Sequence, residues 1–493
     1  MISLTLENFR RTLKDANLIP VFKEINLDYD NPLSILKKIN KNRHCFLLES
    51  SNGPEKWSQF SFIGFNPKMI IKSYENRIET ILDTGKKTTE TGSPIKKLKS
   101  IMSEFKAAKV ENLPRFYGGL VGFFSYEIIR QIENLPAPKL RDTDFPDCCF
   151  MLTDSVIIFD NISKTAKIVI NVHVKDKGKY KTYYSSALKS INKIEKILKG
   201  AIEDPYKEKN KKENKIKITS NFKKDNFLQS VKRIKEYVKR GDVIQTVISQ
   251  RWSTNYNNDP INLYRALRIL NPSPYMFYIK IDKSYIVGAS PEVLVRLDKR
   301  KVESRPIAGT RPRGSDETKD RFNEKDLLSD PKELAEHIML VDLARNDLSK
   351  VCNFGSVEVD EMMTIERYSH VMHIVSHVQG ELKKSKDAFD VFSACFPAGT
   401  LSGAPKIRAM EIINELEPNN RGPYGGSVGY FGFSGNMDMS ITIRSFYLEG
   451  KKLFFQAGAG IVADSKPINE FNETINKSEA MLRAIKKGAL VES

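Results

Sequence analysis

Glycine and other small residues are concentrated in two short runs of this chain. The first is Phe396-Pro-Ala-Gly-Thr-Leu-Ser-Gly-Ala-Pro-Lys-Ile-Arg408, and the second is Gln456-Ala-Gly-Ala-Gly-Ile-Val-Ala463. Glycine adds no side-chain packing and costs backbone entropy, so such runs occur where the chain turns tightly or where a ligand lies against the backbone. The first run predicts a loop that ends at a helix start, with Pro405 in or near the first turn. Taken alone, each run is also explained by a tight turn or a close-packed strand.

Composition limits the class of protein. The chain has 493 residues, of which 40% are hydrophobic and 28% charged, and this is typical of a globular protein with two or three domains. The net charge of +18 is spread thinly, and the one dense basic run, Lys207 to Lys217, contains acids and no aromatic residue. No apolar run reaches the ~18 residues of a transmembrane helix. We therefore expect neither nucleic acid nor a membrane as a partner.

The cysteines indicate the compartment. There are five, an odd number, at spacings that match no zinc site: Cys45, Cys148, Cys149, Cys352 and Cys395. We expect reduced, mostly buried thiols in a cytoplasmic protein.

The chain divides at a polar, lysine-rich stretch. We predict an N-terminal domain over residues 1–200, a linker over 201–220 and a second domain over 221–490. Predicted strands follow one another instead of alternating with helices, which favours an α+β fold with helices packed against antiparallel sheets. The predicted strands are 44–48, 60–63, 116–124, 155–159, 243–252, 276–289, 427–433, 439–448 and 453–462. The predicted helices are 182–198, 225–239, 330–347 and 469–487.

Two predicted helices each begin with a Glu-x-x-Glu pair. Glu333 and Glu336 follow the helix-capping Asp330, and Glu470 and Glu473 lie in the first turns of the last helix. Carboxylates three residues apart share one helix face. Four such groups at one point would need a cation, and oxygen-only ligands suit Mg²⁺. Each pair alone is equally explained by the helix dipole, which favours acids near an N-terminus.

Histidine and arginine supply further candidates. His373 and His377 alternate with apolar residues on a predicted strand and so point the same way. No acid or cysteine accompanies them at zinc spacing, so we expect either a general acid or base or a hydrogen-bonded sheet histidine. Arg444, predicted inside a strand at 441–446, would be costly to bury unpaired, so we expect it to face an acid or an anionic ligand.

Several longer motifs, in order, carry a resemblance to a known family. They are Gly288-Ala-Ser-Pro-Glu292, Pro306-Ile-Ala-Gly-Thr310, Glu336 to Asp347, Gly399 to Lys406, Tyr424-Gly-Gly426 and Gln456 to Gly460. With these the chain closely resembles the chorismate-utilising enzymes, and among them the anthranilate synthase large subunits. The resemblance implies a large sandwich of two antiparallel β-sheets with helices outside and between. It also implies a Mg²⁺-dependent carbon–oxygen lyase that converts chorismate and ammonia to anthranilate and pyruvate, the first committed step of tryptophan biosynthesis.

The resemblance assigns roles residue by residue. It implies catalytic roles for Glu292 (the acid that protonates the leaving hydroxyl), His373 (the elimination step) and Thr400. The implied chorismate-binding residues are Gly309, Thr310, Tyr424, Arg444, Gly458, Ala459 and Gly460. The implied Mg²⁺ ligands are Glu336 and Glu473, with Glu333 and Glu470 as their shell partners.

The resemblance also implies regulation and a partner. A feedback site for tryptophan would be formed by Ser50, Pro274, Tyr275 and Met276; Gln59 stands where the family often has a basic residue. No Gly-x-Cys-x-Gly glutaminase elbow is present in the chain. We therefore expect a separate glutamine amidotransferase subunit to supply ammonia, in a heterotetramer of two large and two small subunits.

Alternatives remain at this point. An aminodeoxychorismate synthase of the same fold commonly has lysine where this chain has Ala308, and water-adding relatives use a lysine where it has Gln245. Both positions favour anthranilate as the product. A basic nucleic-acid-binding protein would be suggested by the charge alone, and a tryptophan-binding regulator without activity is disfavoured by the complete residue set.

Overall fold

A computed structural model describes residues 2–27, 29–50, 59–136, 140–201, 217–368 and 371–490. Its strands form two 12-stranded sheets, and every pair of neighbouring strands in them is antiparallel. Sheet A runs in the order β1 (Leu18–Asn26), β10 (Thr165–His173), β9 (Ser155–Asp160), β3 (Phe60–Phe65), β2 (His44–Glu49), β13 (Tyr275–Ile281), β14 (Ser284–Ser290), β23 (Ser445–Glu449), β24 (Lys452–Ile461), β12 (Gln245–Asn255) and β11 (Thr219–Ser220), and β20 (Gly403–Ala404) pairs with β12.

Sheet B contains the remaining strands. Its order is β17 (Ile307–Pro312), β19 (Val371–Glu381), β16 (Lys301–Ser304), β15 (Val293–Asp298), β22 (Met437–Ile441), β21 (Ser427–Gly432), β7 (Gly119–Phe124), β8 (Cys148–Thr153), β4 (Met69–Tyr74), β5 (Arg77–Leu82) and β6 (Lys87–Thr91), and β18 (Glu358–Arg367) pairs with β19.

Helices lie on both sides of these sheets. The α-helices span Leu6–Thr12, Pro32–Ile39, Pro94–Ser103, Tyr180–Lys199, Lys224–Lys239, Pro260–Leu270, Glu317–Ser329, Pro331–Ser349, Ala388–Cys395, Lys406–Leu416 and Pro467–Leu490. Short 3-10 helices span Tyr126–Gln131, Lys177–Lys179 and Gly399–Leu401. Among the residues that the structure describes, no helix is long and apolar enough to cross a membrane.

The hydrophobic core has two main layers, and strand alternation sorts residues between them. On β2, Phe46 points into the layer between the sheets, whereas Cys45 and Leu47 point into the layer under the outer helices. The helix Ala388–Cys395 packs within the first layer, where the ring of Phe389 stacks on Phe431 at 4.3 Å. The predicted α+β sandwich of two antiparallel sheets with helices outside and between is therefore confirmed.

Both sheets contain strands from both halves of the chain. In sheet A, β2 pairs with β13, and in sheet B, β7 pairs with β21. The predicted domains 1–200 and 221–490 thus share hydrogen-bonded sheets. The boundaries between them remain a prediction. Most of the predicted linker, residues 202–216, lies outside the described residues.

Two of the predicted strands are wrong in extent. The segment predicted as one strand over 276–289 is a hairpin of β13 and β14 that turns at Asp282, which adopts a positive φ of 58°. The segment predicted over 439–448 is divided into β22 and β23, which belong to different sheets. Apolar residues continue through both turns, so the hydrophobic pattern alone does not show the break. The other predicted strands and helices are present, with ends shifted by a few residues.

All five cysteines are free and buried, as predicted.

Candidate active site

Two crossings between the sheets hold the acid and the arginine of the predicted site. Glu292 lies in the connection from β14 of sheet A to β15 of sheet B, and Arg444 lies in the return from β22 to β23. The prediction that Arg444 lies inside a strand is therefore wrong. Its φ of 49° is a left-handed conformation, uncommon for a residue with a side chain, at the point where the chain leaves one sheet for the other. Two backbone hydrogen bonds join the crossings. The amide of Ile441 donates to the carbonyl oxygen of Glu292, and the amide of Ala289 donates to the carbonyl oxygen of Arg444.

The carboxyl group of Glu292 is held by a hydroxyl from a third segment. Thr400, on the 3-10 turn Gly399–Leu401, donates a hydrogen bond of 3.0 Å to Glu292 Oε2. Burial raises the pKa of Glu292, and the opposing effects of Thr400 and of the positive charge on Arg444 do not cancel it. A carboxyl group with a raised pKa keeps its proton at higher pH and is suited to act as an acid.

The glycine-rich strand β24 offers backbone amides to the same cleft. Its pairing with β23 ends at Phe455, and from there to Ile461 its only partner among the described strands is β12. Alternate amides of Gly458, Ala459 and Gly460 are consequently free of strand pairing on one side. The Tyr424 hydroxyl lies against this part of β24, since a Cβ atom on Gly458 would lie only 2.9 Å from it. Glycine is required there for the two groups to approach.

His373 is fixed on β19 by the predicted Gly309–Thr310 segment. Its Nδ1 lies 2.9 Å from the carbonyl oxygen of Gly309 and 3.0 Å from the hydroxyl of Thr310. Burial lowers the pKa of His373, which favours the neutral form of the ring. Because a carbonyl oxygen only accepts, Nδ1 carries the hydrogen and Nε2 is left with a lone pair. This is the tautomer of a general base.

The two Glu-x-x-Glu pairs lie on helices, as predicted. Asp330 caps the helix Pro331–Ser349 by accepting hydrogen bonds from the amides of Lys332 and Glu333. Burial, followed by the negative charge of Glu336, raises the pKa of Glu333. Burial also raises the pKa of Glu470, and the negative charge of Glu473 adds to it.

Contacts through neighbouring side chains connect Glu336 and Glu473, the candidate metal ligands, to strand β24. Gln245 donates a hydrogen bond of 3.1 Å to Glu336, and a Cβ atom on Gly460 would lie 2.5 Å from the same amide nitrogen. Glu473 forms a 2.7 Å ion pair with Lys477, which donates a hydrogen bond of 3.2 Å to the carbonyl oxygen of Gly458. Glu336 is thus connected through Gln245 to Gly460, and Glu473 is connected through Lys477 to Gly458. These glycines are the two ends of the stretch 458–460 of β24.

The donor set fits Mg²⁺ in its chemistry. Each helix supplies two carboxylates. Burial, and after it the negative charge of the neighbouring glutamate, raises the pKa of Glu333 and of Glu470, and a bound cation would relieve this repulsion. Within the described part of the chain, no group of three or more acids, histidines or cysteines is close enough to form a complete metal cage. Mg²⁺ commonly uses only one or two carboxylates together with water and substrate, so the pair Glu336 and Glu473 would suffice.

The predicted inhibitor residues line a second cavity. Ser50, Pro274, Tyr275 and Met276 all border a space of about 720 Å³ that is open to solvent. The buried hydroxyl of Ser50 has no hydrogen-bond partner among the described residues. The floor is held by Asp438, which accepts hydrogen bonds of 2.9 Å from Tyr275 and from Arg296. Gln59 does not line this space; its amide bonds to Asp160 at 2.9 Å.

Sequence reasoning missed two groups in the candidate active site. Lys477 bridges Glu473 and Gly458, but a single lysine on a basic chain gives no signal. The Tyr368 ring packs edge-on against His373 at 5.6 Å, and its hydroxyl donates a hydrogen bond of 3.0 Å to Glu366. Its nearness to the histidines in sequence was the only sign of its position.

Comparison with known proteins places the chain in a family. A family model described as chorismate binding enzyme matches residues 43–483. The chain belongs to the chorismate binding enzymes. Two relatives within this family are both called Anthranilate synthase component 1. That of Acetivibrio thermocellus is 47% identical over 98% of both chains, and that of Aquifex aeolicus is 46% identical, also over 98% of both.

Two solved structures have the same fold. The crystal structure of anthranilate synthase component I from Streptococcus pneumoniae matches with a TM-score of 0.77 at 34% identity, covering 86% of this chain and 92% of that one. The menaquinone-specific isochorismate synthase of Escherichia coli matches with a TM-score of 0.72 at 17% identity, covering 97% of this chain and 98% of that one, and shows the shared fold alone.

Proposed function

We propose that this chain is the large subunit of an anthranilate synthase, which converts chorismate and ammonia to anthranilate, pyruvate and water. The observation that carries the proposal is the likeness at 46–47% identity, over nearly the full length, to chains called Anthranilate synthase component 1. The arrangement of Glu292, His373 and Arg444 around one cleft supports it.

The substrate is a dianion, and the cleft offers two places for its carboxylates. Arg444, the Tyr424 hydroxyl and the unpaired amides of Gly458 to Gly460 bind the enolpyruvyl carboxylate. Burial lowers the pKa of Arg444, an indication that the guanidinium is poorly solvated and gains from an anionic ligand. The ring carboxylate faces the two glutamate pairs, where Mg²⁺ held by Glu336 and Glu473 would offset the charge repulsion.

Glu292 protonates the hydroxyl that leaves from ring C4 while ammonia adds at C2. The hydrogen bond from Thr400 occupies Oε2 and leaves the proton of the acid on Oε1. The hydroxyl departs as water, so the carboxyl group becomes a carboxylate. Gly309 and Thr310 contact the substrate near this hydroxyl.

His373 then serves the elimination of the enolpyruvyl group. Its neutral ring with the hydrogen on Nδ1 has an available lone pair on Nε2, which accepts the proton from C2. Loss of that proton and cleavage of the ring carbon–oxygen bond restore the aromatic ring, and the departing enolpyruvate takes up a proton at its methylene carbon to become pyruvate. Thr310, bonded to Nδ1, holds the ring in place.

Ammonia is supplied by a separate glutamine amidotransferase subunit, in an assembly of two large and two small subunits. The two relatives are called component 1, and this name supports the existence of a second component. The five free, buried cysteines suit the cytoplasm, where thiols are kept reduced.

Tryptophan binds in the second cavity and inhibits the reaction. The unpartnered Ser50 hydroxyl meets the polar end of the amino acid, and Pro274, Tyr275 and Met276 contact the indole. Two strands connect the sites: Arg296 lies on β15, which follows Glu292, and Asp438 lies on β22, which precedes Arg444. A shift of these strands couples tryptophan binding to the catalytic residues, and the coupling is reciprocal.

The alternative product, aminodeoxychorismate, carries its amino group at ring C4 and keeps the enolpyruvyl group, and the enzymes that form it commonly use a lysine to form a covalent adduct with the ring. Ala308 lies on β17 opposite Ile374 and provides no amine for a covalent adduct. Product analysis separates the two activities.

A fluorescence assay tests the proposal. Purified chain is mixed with chorismate, Mg²⁺ and an ammonium salt at mildly alkaline pH. We expect anthranilate fluorescence that is lost with a chelator and reduced by tryptophan, and no comparable turnover when glutamine replaces ammonium. Chorismate consumed without anthranilate would indicate a paralogous activity, and untouched chorismate would contradict the proposal.

A further inference from the structure

A buried ion pair lies directly behind the candidate active site. Arg421 is 1% exposed and donates hydrogen bonds of 2.9 and 2.7 Å to the two oxygens of Glu417, which is 6% exposed. Burying two charges is costly unless all of their hydrogen-bonding groups are satisfied. Four of the five N–H groups of the Arg421 guanidinium donate hydrogen bonds, to Glu417 and to the carbonyl oxygens of Leu401 and Val247. The two carbonyl groups belong to segments that border the cleft.

The guanidinium of Arg421 contacts both of these segments through their backbone carbonyls. One nitrogen donates a 2.6 Å hydrogen bond to Leu401 O, which directly follows Thr400. Another donates a 2.7 Å hydrogen bond to Val247 O, and Val247 is the register partner of Gly460 on β24. One side chain therefore fixes the turn that bears Thr400 and the strand that supports the glycine amides.

The same guanidinium also contacts the aromatic wall. It lies 4.7 Å from the ring centre of Tyr126 and 5.8 Å from that of Tyr424, within the range of cation–π contacts. The Tyr424 hydroxyl in turn faces Gly458.

Glu417 extends the network along the glycine strand. It accepts hydrogen bonds from the amide of Ser249 at 2.8 Å and from its hydroxyl at 2.7 Å. Ser249 is the register partner of Gly458, and its hydroxyl accepts a 2.7 Å hydrogen bond from Gln456. Both members of the pair therefore contact segments that adjoin Thr400 or pair with Gly458 and Gly460 on β24.

We propose that Arg421 and Glu417 are positioning residues, which set the spacing between Thr400, Tyr424 and the amides of β24 without touching the substrate. The proposal rests on the proposed function for the identity of the ligand. Neither residue was singled out by sequence reasoning, since an Arg-Gly-Pro segment before Tyr424 is typical of an ordinary turn.

Lysine cannot replace arginine in this role. A guanidinium offers a fixed fork of donors to Glu417, Leu401 and Val247 at once, whereas an ammonium is a single point on a flexible stem. Arg421→Lys keeps the charge that Glu417 needs and loses the geometry. We expect the chorismate KM to rise and kcat to fall, by about 10- to 100-fold in kcat/KM, because small misplacements of binding groups cost this much.

The experiment compares Arg421→Lys with a matched control, Lys38→Met. Lys38 forms a buried 2.9 Å ion pair with Asp30 in the N-terminal part of the chain and has no part in the site. Both proteins are assayed for anthranilate formation at a temperature where circular dichroism shows them folded. The shift of the melting temperature by chorismate is measured in parallel as a readout that needs no turnover.

A purely structural role would lower the folded fraction and leave the chorismate KM of the folded protein unchanged. We expect Lys38→Met to behave in this way and Arg421→Lys to show a raised KM and a smaller chorismate-induced shift. Wild-type KM and shift in folded Arg421→Lys would overturn the proposal. If that variant does not fold, Ser249→Ala, which keeps both charges, should raise KM about threefold to tenfold through its lost hydrogen bond, and an unchanged KM would overturn the proposal.

The two proposals fail differently. Wild-type protein that is stabilised by chorismate but makes no anthranilate would contradict the proposed function, and the chorismate-induced shift would still test the positioning role. Anthranilate formation that is indifferent to Arg421→Lys would contradict the positioning role alone.

Discussion

Thr400 donates a 3.0 Å hydrogen bond to Glu292, although the two residues reach the cleft from separate parts of the fold. Thr400 lies on the short turn Gly399–Leu401, and Glu292 lies at the crossing from sheet A to sheet B. The bond selects which oxygen of the acid is available to a ligand. It also opposes the effect of burial on the pKa of Glu292. The pKa of Glu292 is therefore set by the hydrogen bond from Thr400 as well as by burial.

Glu292→Gln removes the proton donor and keeps the shape of the side chain. We expect kcat to fall by about 100-fold or more, since general acid catalysis contributes at least this much, with a small change in the chorismate KM. Steady-state kinetics at saturating ammonium measure both. The exposed Glu358→Gln is the control, since Glu358 bonds only to Gln379 among the contacts that the structure shows. A kcat within a few-fold of wild type would contradict the assignment.

Thr400→Val tests the tuning of that acid. The hydrogen bond from Thr400 lowers the pKa of Glu292, so its removal raises this pKa further. An acid acts in its protonated form, and the activity of the enzyme falls as the pH rises through the pKa of that group. We expect the alkaline decline of kcat to move to higher pH in Thr400→Val. A decline that stays in place or moves to lower pH would show that Glu292 is not the titrating acid.

Arg444→Lys tests carboxylate binding at the second crossing. Lysine keeps the charge but loses the two-pronged geometry of the guanidinium. We expect the chorismate KM to rise by about 10- to 100-fold, the range of a lost charge-assisted hydrogen bond, with the KM for ammonium unchanged. Parallel titrations of the two substrates measure the split, and an equal rise in both KM values would argue against a specific role.

Glu473→Gln tests the metal ligand, and Glu479→Gln on the same helix is its control. Glu479 is paired with Arg483 on the surface and has no contact with the cleft. We expect the Mg²⁺ concentration for half-maximal activity to rise by about 10- to 100-fold in Glu473→Gln and to stay constant in Glu479→Gln. Circular dichroism checks that both proteins are folded. Identical Mg²⁺ titrations would exclude Glu473 as a ligand.

His337 makes the stability of the fold sensitive to acid. It is fully buried beside Ser376, and burial lowers its pKa to about 4, whereas the unfolded chain has the ordinary value of about 6.5. Its contribution to stability is present above about pH 6.5 and is lost as the pH falls toward 4, because the unfolded state then binds the proton first. In His337→Gln we expect the melting temperature to fall less over this range. An identical slope in both proteins would contradict the account.

Residue patterns predicted most elements because periodicity and capping are local. The cap at Asp330 and the pair Glu333 and Glu336 followed from their spacing alone. The crossing at Arg444 did not, because apolar residues on either side continue the alternation of a strand while the backbone changes sheet.

Contacts between residues far apart in the chain could not be predicted from the sequence. Nothing local to Lys477 shows that it reaches Gly458, and nothing local to Arg421 shows that it lies behind Tyr424. These relationships arise from packing, which places residues from separate strands and helices within hydrogen-bonding distance. The family motifs identified the substrate-facing residues, whereas the supporting residues required the folded structure.

The most direct test of the central claim is product analysis with ¹⁵N-labelled ammonium. Purified chain is incubated with chorismate, Mg²⁺ and the labelled salt, and the products are quantified by mass spectrometry. We expect ¹⁵N-labelled anthranilate and unlabelled pyruvate in equal amounts, with both formed about 100-fold or more slowly by Glu292→Gln. A labelled product that retains the enolpyruvyl group, or unlabelled products of water addition, would contradict it.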